Sequence, residues 1–334
     1  MVEILSASPA NLERAALALR AGQLVAFPTE TVYGLGANAL DEAAVQRIYS
    51  AKGRPAKNPL IAHIAAVEDL SRVAVVPPET AIADRLQRLA PLWPGPLTVV
   101  LPRNPVVPAI VSAGLSSIAV RIPSHPIARE IIKLAGVPVA APSANPSRYV
   151  SPTTAHHVVE GLGDTIDYII DGGGCSVGIE STIVSLVHPQ PTVLRHGSIT
   201  LEDLRAILGE VDEIGVTTDG AEALPSPGLL RQHYSPRTPL VFEGECDPAA
   251  YPRRAALITF APRAAASQTD FAAIRSLSPQ GDLTEAARTL FATLRELDNG
   301  DYDIIVVEPC TRIGLGRALM DRLSRAASQS DSGR

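Results

Sequence analysis

Short apolar runs recur along this 334-residue chain, and several end in, or begin after, a polar loop of proline, glycine and hydroxyl residues. Leu24–Phe27 runs into Pro28 and the turn Thr29–Gly36. The loop Lys52–Asn58 leads into Leu60–Ile64. Val137–Ala141 runs into Pro142–Ser147, Tyr168–Asp171 into Gly172–Ser181, and Thr192–Leu194 into Arg195–Gly197. Apolar runs this short, bounded by turn residues, read as strands. Between them lie longer segments that read as helices: Leu12–Ala21, Asp41–Ser50 with Asp41 as its cap, Pro78–Leu89, Ile127–Ala135 and Thr200–Leu208. Alternation of this kind specifies an α/β fold. In an open α/β sheet the loops at strand ends meet in one crevice, so the polar loops are the place to look for chemistry.

The chain divides by composition. Residues 1–208 carry the strand–loop pattern. Residues 209–238 have few apolar runs and read as a linker, although Ser226–Pro236 is rich in functional side chains. That stretch is either a plain tether or a functional loop. Residues 239–334 read as a second α/β unit. It has strands at Ala256–Phe260 and Ile304–Glu308, a helix at Thr284–Leu297 and a final helix at Arg317–Ala327. Gly314-Leu315-Gly316 opens that last helix. A glycine pair there can bind phosphate, but without the full dinucleotide fingerprint it reads more simply as a turn.

Apolar residues make up 46% of the chain and charged residues 19%, which suits a folded, core-forming protein. The net charge of −6 argues against a protein that coats nucleic acid, so any polyanion site has to be a local pocket. With 4% aromatic residues, a base-stacking surface is also disfavoured. Cys175, Cys246 and Cys310 are far apart and read as free thiols. No basic leader and no run of about 20 apolar residues is present, so a cytoplasmic protein without a membrane span is expected.

Lys52-Gly53-Arg54-Pro55-Ala56-Lys57 places three cations within six residues. Pro55 disfavours helix at Arg54, so the segment is expected to be extended, with Lys52 and Arg54 on one face and able to hold a phosphate chain. The alternative is a solvated basic loop. His63 interrupts an apolar strand as either a core histidine or a functional one. Ser117 and Arg121 lie four apart on one strand and share a face. Arg121, between Val120 and Ile122, calls for an anionic partner if it is buried. Pooled, the loops supply Lys52, Arg54, Arg121 and Arg195 as cations. They also supply hydroxyls at Thr31, Ser117, Ser143, Ser151 and Ser181, and the amide of Asn145. No GxxxxGK[ST] phosphate loop, HExxH pair or defensible Ser-His-Asp order is present. The inventory suits electrostatic positioning of a polyphosphate beside a small zwitterion, rather than nucleophilic catalysis.

These loops together resemble the threonylcarbamoyl-AMP synthases of the long form, which join an N-terminal YrdC-like domain to a C-terminal one. The matching stretches are Pro28–Gly36, Lys52–Leu60, Pro94–Thr98, Arg121–His125, Pro142–Asn145, Ser151–Thr153, Asp171–Ile183, Leu194–Gly197, Ser226–Pro236 and the run from Gly314 to Ala327. The resemblance implies a twisted, open mixed sheet with a concave basic cavity, followed by a smaller Rossmann-like α/β domain. It implies that L-threonine, bicarbonate and ATP, with Mg²⁺, give threonylcarbamoyl-AMP and pyrophosphate. The product would pass to a tRNA threonylcarbamoyl transferase complex that modifies the adenosine next to the anticodon, with no stable nucleic-acid binding here and no metal ligand from the protein. Thr31, His63, Arg121, Ala141 and Ser181 would hold threonine. Arg54, Asn58, Ser117, Ser143, Ser151, Arg195 and Tyr234 would hold the nucleotide, with Lys52 and Arg54 neutralising the phosphates and residues 209–238 folding over the site. Two positions depart from the family pattern: Arg148, where glycine is usual, and Gln232, where arginine is common. The competing reading is an RNA-binding module with a YrdC-like basic cavity.

Overall fold

Local signals set the helix ends. Ser8 caps the first helix, α1 (Pro9–Arg20), by accepting from the Asn11 amide, and Pro9 occupies the first turn, where its missing N–H costs nothing. The helix therefore starts three residues before the expected Leu12. Asp41 caps α2 (Glu42–Lys52) by accepting from the amides of Ala43 and Ala44 at 2.9 and 3.2 Å. In this computed structural model, which describes residues 2–214, 224, 226–227, 233–245, 251–252, 254–263 and 271–327, α2 runs through Lys52. Gly53 ends it in the left-handed region, at φ +59°. The expected extended backbone at Lys52 is thus replaced by a helix C-terminus. Pro55 acts too late in the chain to unwind it, so Lys52 and Arg54 do not share a strand face.

The remaining helices of the first unit are α3 (Ala81–Leu89), α4 (Pro126–Ala135), α5 (Ala155–Leu162) and α6 (Leu201–Leu208). Its strands are β1 (Glu3–Ser6), β2 (Val25–Phe27), β3 (Gly34–Asn38), β4 (Ile61–His63), β5 (Leu97–Pro102) and β6 (Ser117–Arg121). They continue with β7 (Val139–Ala140), β8 (Tyr168–Asp171), β9 (Thr182–Ser185), β10 (Thr192–Arg195) and β11 (Asp212–Glu213). Among the described residues they form one mixed sheet of eleven strands in the order β1-β8-β2-β3-β7-β4-β6-β5-β9-β10-β11. Some of these were not read as strands from the sequence, β1, β3 and β11 among them. β3 lies in a glycine-rich stretch that reads as a turn, yet it pairs antiparallel with β2 and β7. β11 pairs parallel with β10, which carries the first unit past the expected boundary at residue 208.

Both faces of this sheet are covered. α1 and α4 bury one face through Leu12, Leu19, Val25, Phe27, Ile131 and Ile132. On the other, Val45, Ile48, Leu60, Val99 and Val120 form the larger cluster. Among the described residues, the second unit has a four-stranded, all-parallel sheet of β12 (Leu240–Phe242), β13 (Ala255–Thr259), β14 (Ala273–Ser276) and β15 (Ile304–Val307), in the order β12-β15-β13-β14. α7 (Leu283–Asp298) and α8 (Leu315–Ala327) belong to this unit. Its core takes in Val32, Val150, Ile179 and Tyr234, so one apolar cluster spans the two units. No helix among the described residues is long and apolar enough to cross a membrane.

Candidate active site

One cavity gathers the polar loops. Its walls are Thr29, Thr31, Val32 and Gly34 from the β2–β3 connection, Arg54 after α2, Ile61 and His63 of β4, and Arg121 at the end of β6. Ala141, Pro142 and Ser143 follow β7, Glu180 and Ser181 precede β9, Arg195 ends β10, and Pro227, His233 and Tyr234 come from the connecting segment. Nine of the residues singled out from the sequence therefore meet in one place: Thr31, Arg54, His63, Arg121, Ala141, Ser143, Ser181, Arg195 and Tyr234.

The β2–β3 turn is held by the Thr29 hydroxyl, which donates to the Val32 carbonyl at 2.6 Å and accepts from the Thr31 and Val32 amides at 3.2 Å each. That turn presents Thr31 to Arg121, which donates to its hydroxyl at 2.8 Å. The anionic partner expected for Arg121 is Glu30, 2.7 Å away, with both side chains buried. Burial by itself would raise the Glu30 carboxyl; the Arg121 charge and hydrogen bond outweigh it and hold the group below its ordinary value.

His63 pairs in register with Arg121 across β4 and β6, and its Nδ1 lies 3.2 Å from the Ile61 carbonyl. Burial, then the Arg121 charge, bring it down to about 3, so the imidazole is neutral at neutral pH. The Ser181 hydroxyl lies 2.7 Å from that of Thr98 and accepts from Arg195 at 3.0 Å. Arg195 also donates to the Ser181 carbonyl at 3.0 Å. Arg54 is aimed by the Asn58 side chain at 2.7 Å and by the Asn58 and Pro59 carbonyls at 2.9 and 2.6 Å. Burial draws its guanidinium down to about 10, which leaves it charged at neutral pH.

The other five predicted residues are not cavity walls. Lys52 is buried and donates to the backbone carbonyls of Ser143, at 2.6 Å, and Asn145. In this state it ties the 143–145 loop to the end of α2. Asn145 points away into its own loop and donates to the carbonyls of Pro146 and Tyr149 at 2.9 and 2.8 Å. Asn58 supports Arg54 from behind. Ser151 is fully buried and donates to Glu180 at 2.5 Å. Ser117 starts β6, at the opposite end from Arg121 and beside Pro102. The spacing of four gave them one face but separate ends.

Glu30, Glu180 and His233 were not singled out from the sequence. Each stands inside a polar loop that was, so their acidic or imidazole side chains were the available signal. Among the described residues, the His233 Nδ1, the Tyr234 hydroxyl and the Asn58 amide nitrogen are buried without a hydrogen-bond partner. Buried polar atoms of that kind at a cavity are positioned to accept a ligand. Pro227, His233 and Tyr234 of the connecting segment are among the cavity walls; Arg231 and Gln232 lie outside the described residues. Arg148 sits at φ +72°, the left-handed conformation that favours glycine. Its carbonyl accepts from the Ser235 amide at 2.8 Å, so the loop keeps that turn and meets the linker.

Cys175 and Cys310 are unpaired thiols, and Cys246 lies outside the described residues. No group of three or more His, Cys, Asp or Glu among the described residues is placed to hold a metal ion. The cavity thus offers three arginines, two imidazoles that burial keeps neutral, one carboxylate and several hydroxyls. Such a set can bind a carboxylate, a hydroxyl and phosphates.

Comparison with known proteins places the chain in a family. A family model described as telomere recombination (Sua5, YciO, YrdC) matches residues 17–197. A second, described as threonylcarbamoyl-AMP synthase, C-terminal domain, matches residues 199–328. A threonylcarbamoyl-AMP synthase of Pyrococcus abyssi is 44% identical over 324 residues, covering 92% of each chain. One of Bacillus subtilis is 39% identical over 333 residues, covering 97% of this chain and 94% of its own. The solved structure of P. abyssi Sua5 complexed with L-threonine matches with a TM-score of 0.86 at 40% identity, covering 98% of both chains. Escherichia coli YciO, at 23% identity and a TM-score of 0.52, covers 59% of this chain and shares its fold.

Proposed function

The chain belongs to the threonylcarbamoyl-AMP synthase family in its two-domain form, and from that premise we propose that it makes L-threonylcarbamoyl-AMP and pyrophosphate from L-threonine, bicarbonate or CO₂, and ATP. The product supplies threonylcarbamoyl modification of tRNA through a separate transferase complex. The observation that carries this reading is the shared cavity. Arg121, Thr31 and Ser181 form an amino-acid end, and Arg54 and Arg195 bring positive charge to the same cavity. The P. abyssi relative has been solved with L-threonine, which supports threonine as the ligand here.

The chemistry follows from the charges. Arg121 takes the threonine carboxylate and the Thr31 and Ser181 hydroxyls take its side-chain hydroxyl. His63 is neutral and can accept from the amine, and Ala141 contributes strand-end backbone. The amine adds to CO₂ and loses a proton, giving a carbamate. A carbamate oxygen attacks the α-phosphorus as the bond to pyrophosphate breaks. Arg54 and Arg195 neutralise the phosphates, with Asn58, Ser143, Ser151 and Tyr234 around the nucleotide. Mg²⁺ would come with ATP and offset phosphate charge; Glu180, a carboxylate of the cavity wall, is already engaged by Ser151 and Arg322. A cavity closed by the His233-Tyr234 segment keeps water from the labile product.

The test is pyrophosphate release. Purified protein with ATP, Mg²⁺, bicarbonate and threonine should release pyrophosphate, and omission of threonine should abolish it. Release that ignores threonine would defeat the proposal.

A further inference from the structure

The two largest fully buried side chains among the described residues are Arg295 of α7 and Arg322 of α8. Both belong to the second unit, yet both reach into the first. The Arg322 Nε lies 3.1 Å from one oxygen of Glu180, a cavity wall, and the other Glu180 oxygen accepts from the Ser151 hydroxyl at 2.5 Å. Arg295 approaches Ser151 from its backbone side, donating to the Val150 carbonyl at 2.7 Å and more weakly to the Ser151 carbonyl at 3.4 Å. Its guanidinium also stands 4.8 Å from the centre of the Tyr149 ring. Arg322 in turn lies 5.3 Å from the centre of the Tyr234 ring, which stacks on Phe291 of α7.

The backbone confirms that this contact is close. Gly178, two residues before Glu180, has φ +84°, and a Cβ there would stand 2.3 Å from the Arg288 Cα of α7. The loop carrying Glu180 and Ser181 is therefore pressed directly against the second unit.

We propose that Arg322 and Arg295 are positioning residues by which the C-terminal domain sets the nucleotide end of the catalytic cavity, Arg322 through Glu180 and Ser151, and Arg295 through the Val150–Ser151 backbone. A buried arginine–carboxylate pair is a poor way to join two domains, because apolar side chains of similar volume do as well or better. Its geometric effect is different: it fixes the Glu180 carboxylate at the wall where Tyr234 and Arg195 also stand, and holds the buried Ser151 hydroxyl directly behind it. The inference rests on the reading of Ser151, Arg195 and Tyr234 as nucleotide contacts.

The experiment measures two dissociation constants by calorimetry on the full chain, one for a non-hydrolysable ATP analogue and one for threonine, together with the melting temperature. Arg322→Met, Glu180→Gln and Arg295→Met are compared with wild type. Weakening of the ATP analogue by tenfold or more, with threonine binding changed less than twofold, is the expected result. The double variant Glu180→Gln/Arg322→Met should be no weaker for nucleotide than the worse single variant, because the two act through one connection. Arg322→Lys, which keeps the charge, should recover part of the affinity; if Arg322→Met fails to fold, it and Glu180→Gln carry the test. A lowered melting temperature with both constants unchanged would make the arginines mere domain glue and overturn the inference, as would equal loss of both ligands. The proposed function fails separately: wild type that releases no threonine-dependent pyrophosphate would sink that reading, while the analogue constants still decide the positioning role.

Discussion

The Glu30 carboxylate lies 2.7 Å from the Arg121 guanidinium, and both are almost entirely withdrawn from water. Removing one charge from such a pair strands the other. Glu30→Ala is expected to cost about 3 kcal/mol of stability at pH 7, read by urea denaturation. The pair also sets an acid limit. The folded carboxyl sits below its unfolded value near 4.5, so its contribution is complete above that value and is lost as pH falls through the folded one. Glu30→Gln should lose less stability than wild type below pH 4.5, and parallel curves would refute the assignment.

His63 makes a second acid-sensitive contribution. Its folded value of about 3 lies well below the ordinary 6.5. The neutral ring stabilises the fold fully above pH 6.5, and this is lost as protons bind the unfolded chain on the way down towards 3. Wild type should therefore lose more stability between pH 7.5 and pH 5 than His63→Gln. His233, also held low by burial, is common to both proteins and cancels in the difference.

Lys52 binds carbonyls in this structure. Lys52→Met removes the donor shared by Ser143 and Asn145 and should cost about 2 kcal/mol. Turnover should fall as well, because the Ser143 loop loses its anchor. Unchanged melting with lost pyrophosphate release would show instead that the lysine's main work is on the phosphates.

Side-chain selectivity should be steep. A site that hydrogen-bonds the substrate hydroxyl rejects an analogue lacking it by roughly 10⁴-fold, since buried polar groups are left unpaired. Valine should accordingly fail to support pyrophosphate release at concentrations where threonine saturates. Ser181→Ala should weaken threonine by about tenfold, equivalent to one hydrogen bond of about 1.4 kcal/mol. Comparable turnover with valine would remove Thr31 and Ser181 from the hydroxyl's environment.

The features legible in the sequence were those written within a few residues. Tyr168–Asp171 reads as a strand and is one; Asp41 reads as a cap and caps α2. The strand-end loops were recognisable from their composition, and the topology of the mixed sheet brings such loops together. Arg121 required an anion because a charge between two apolar strand residues cannot be buried alone. Which anion it would find was decided by tertiary structure, as was the direction of Lys52, where two residues of helix beyond the expected end at Ser50 carry the side chain to the 143–145 loop. β3 is a strand because β2 and β7 flank it, against its own glycines. Far apart in the chain, Glu180 meets Arg322 across 142 residues. Hydrophobic period and capping act over one or two turns of chain, so they determine elements. Contacts between elements depend on how whole layers pack, and only the folded molecule settles them.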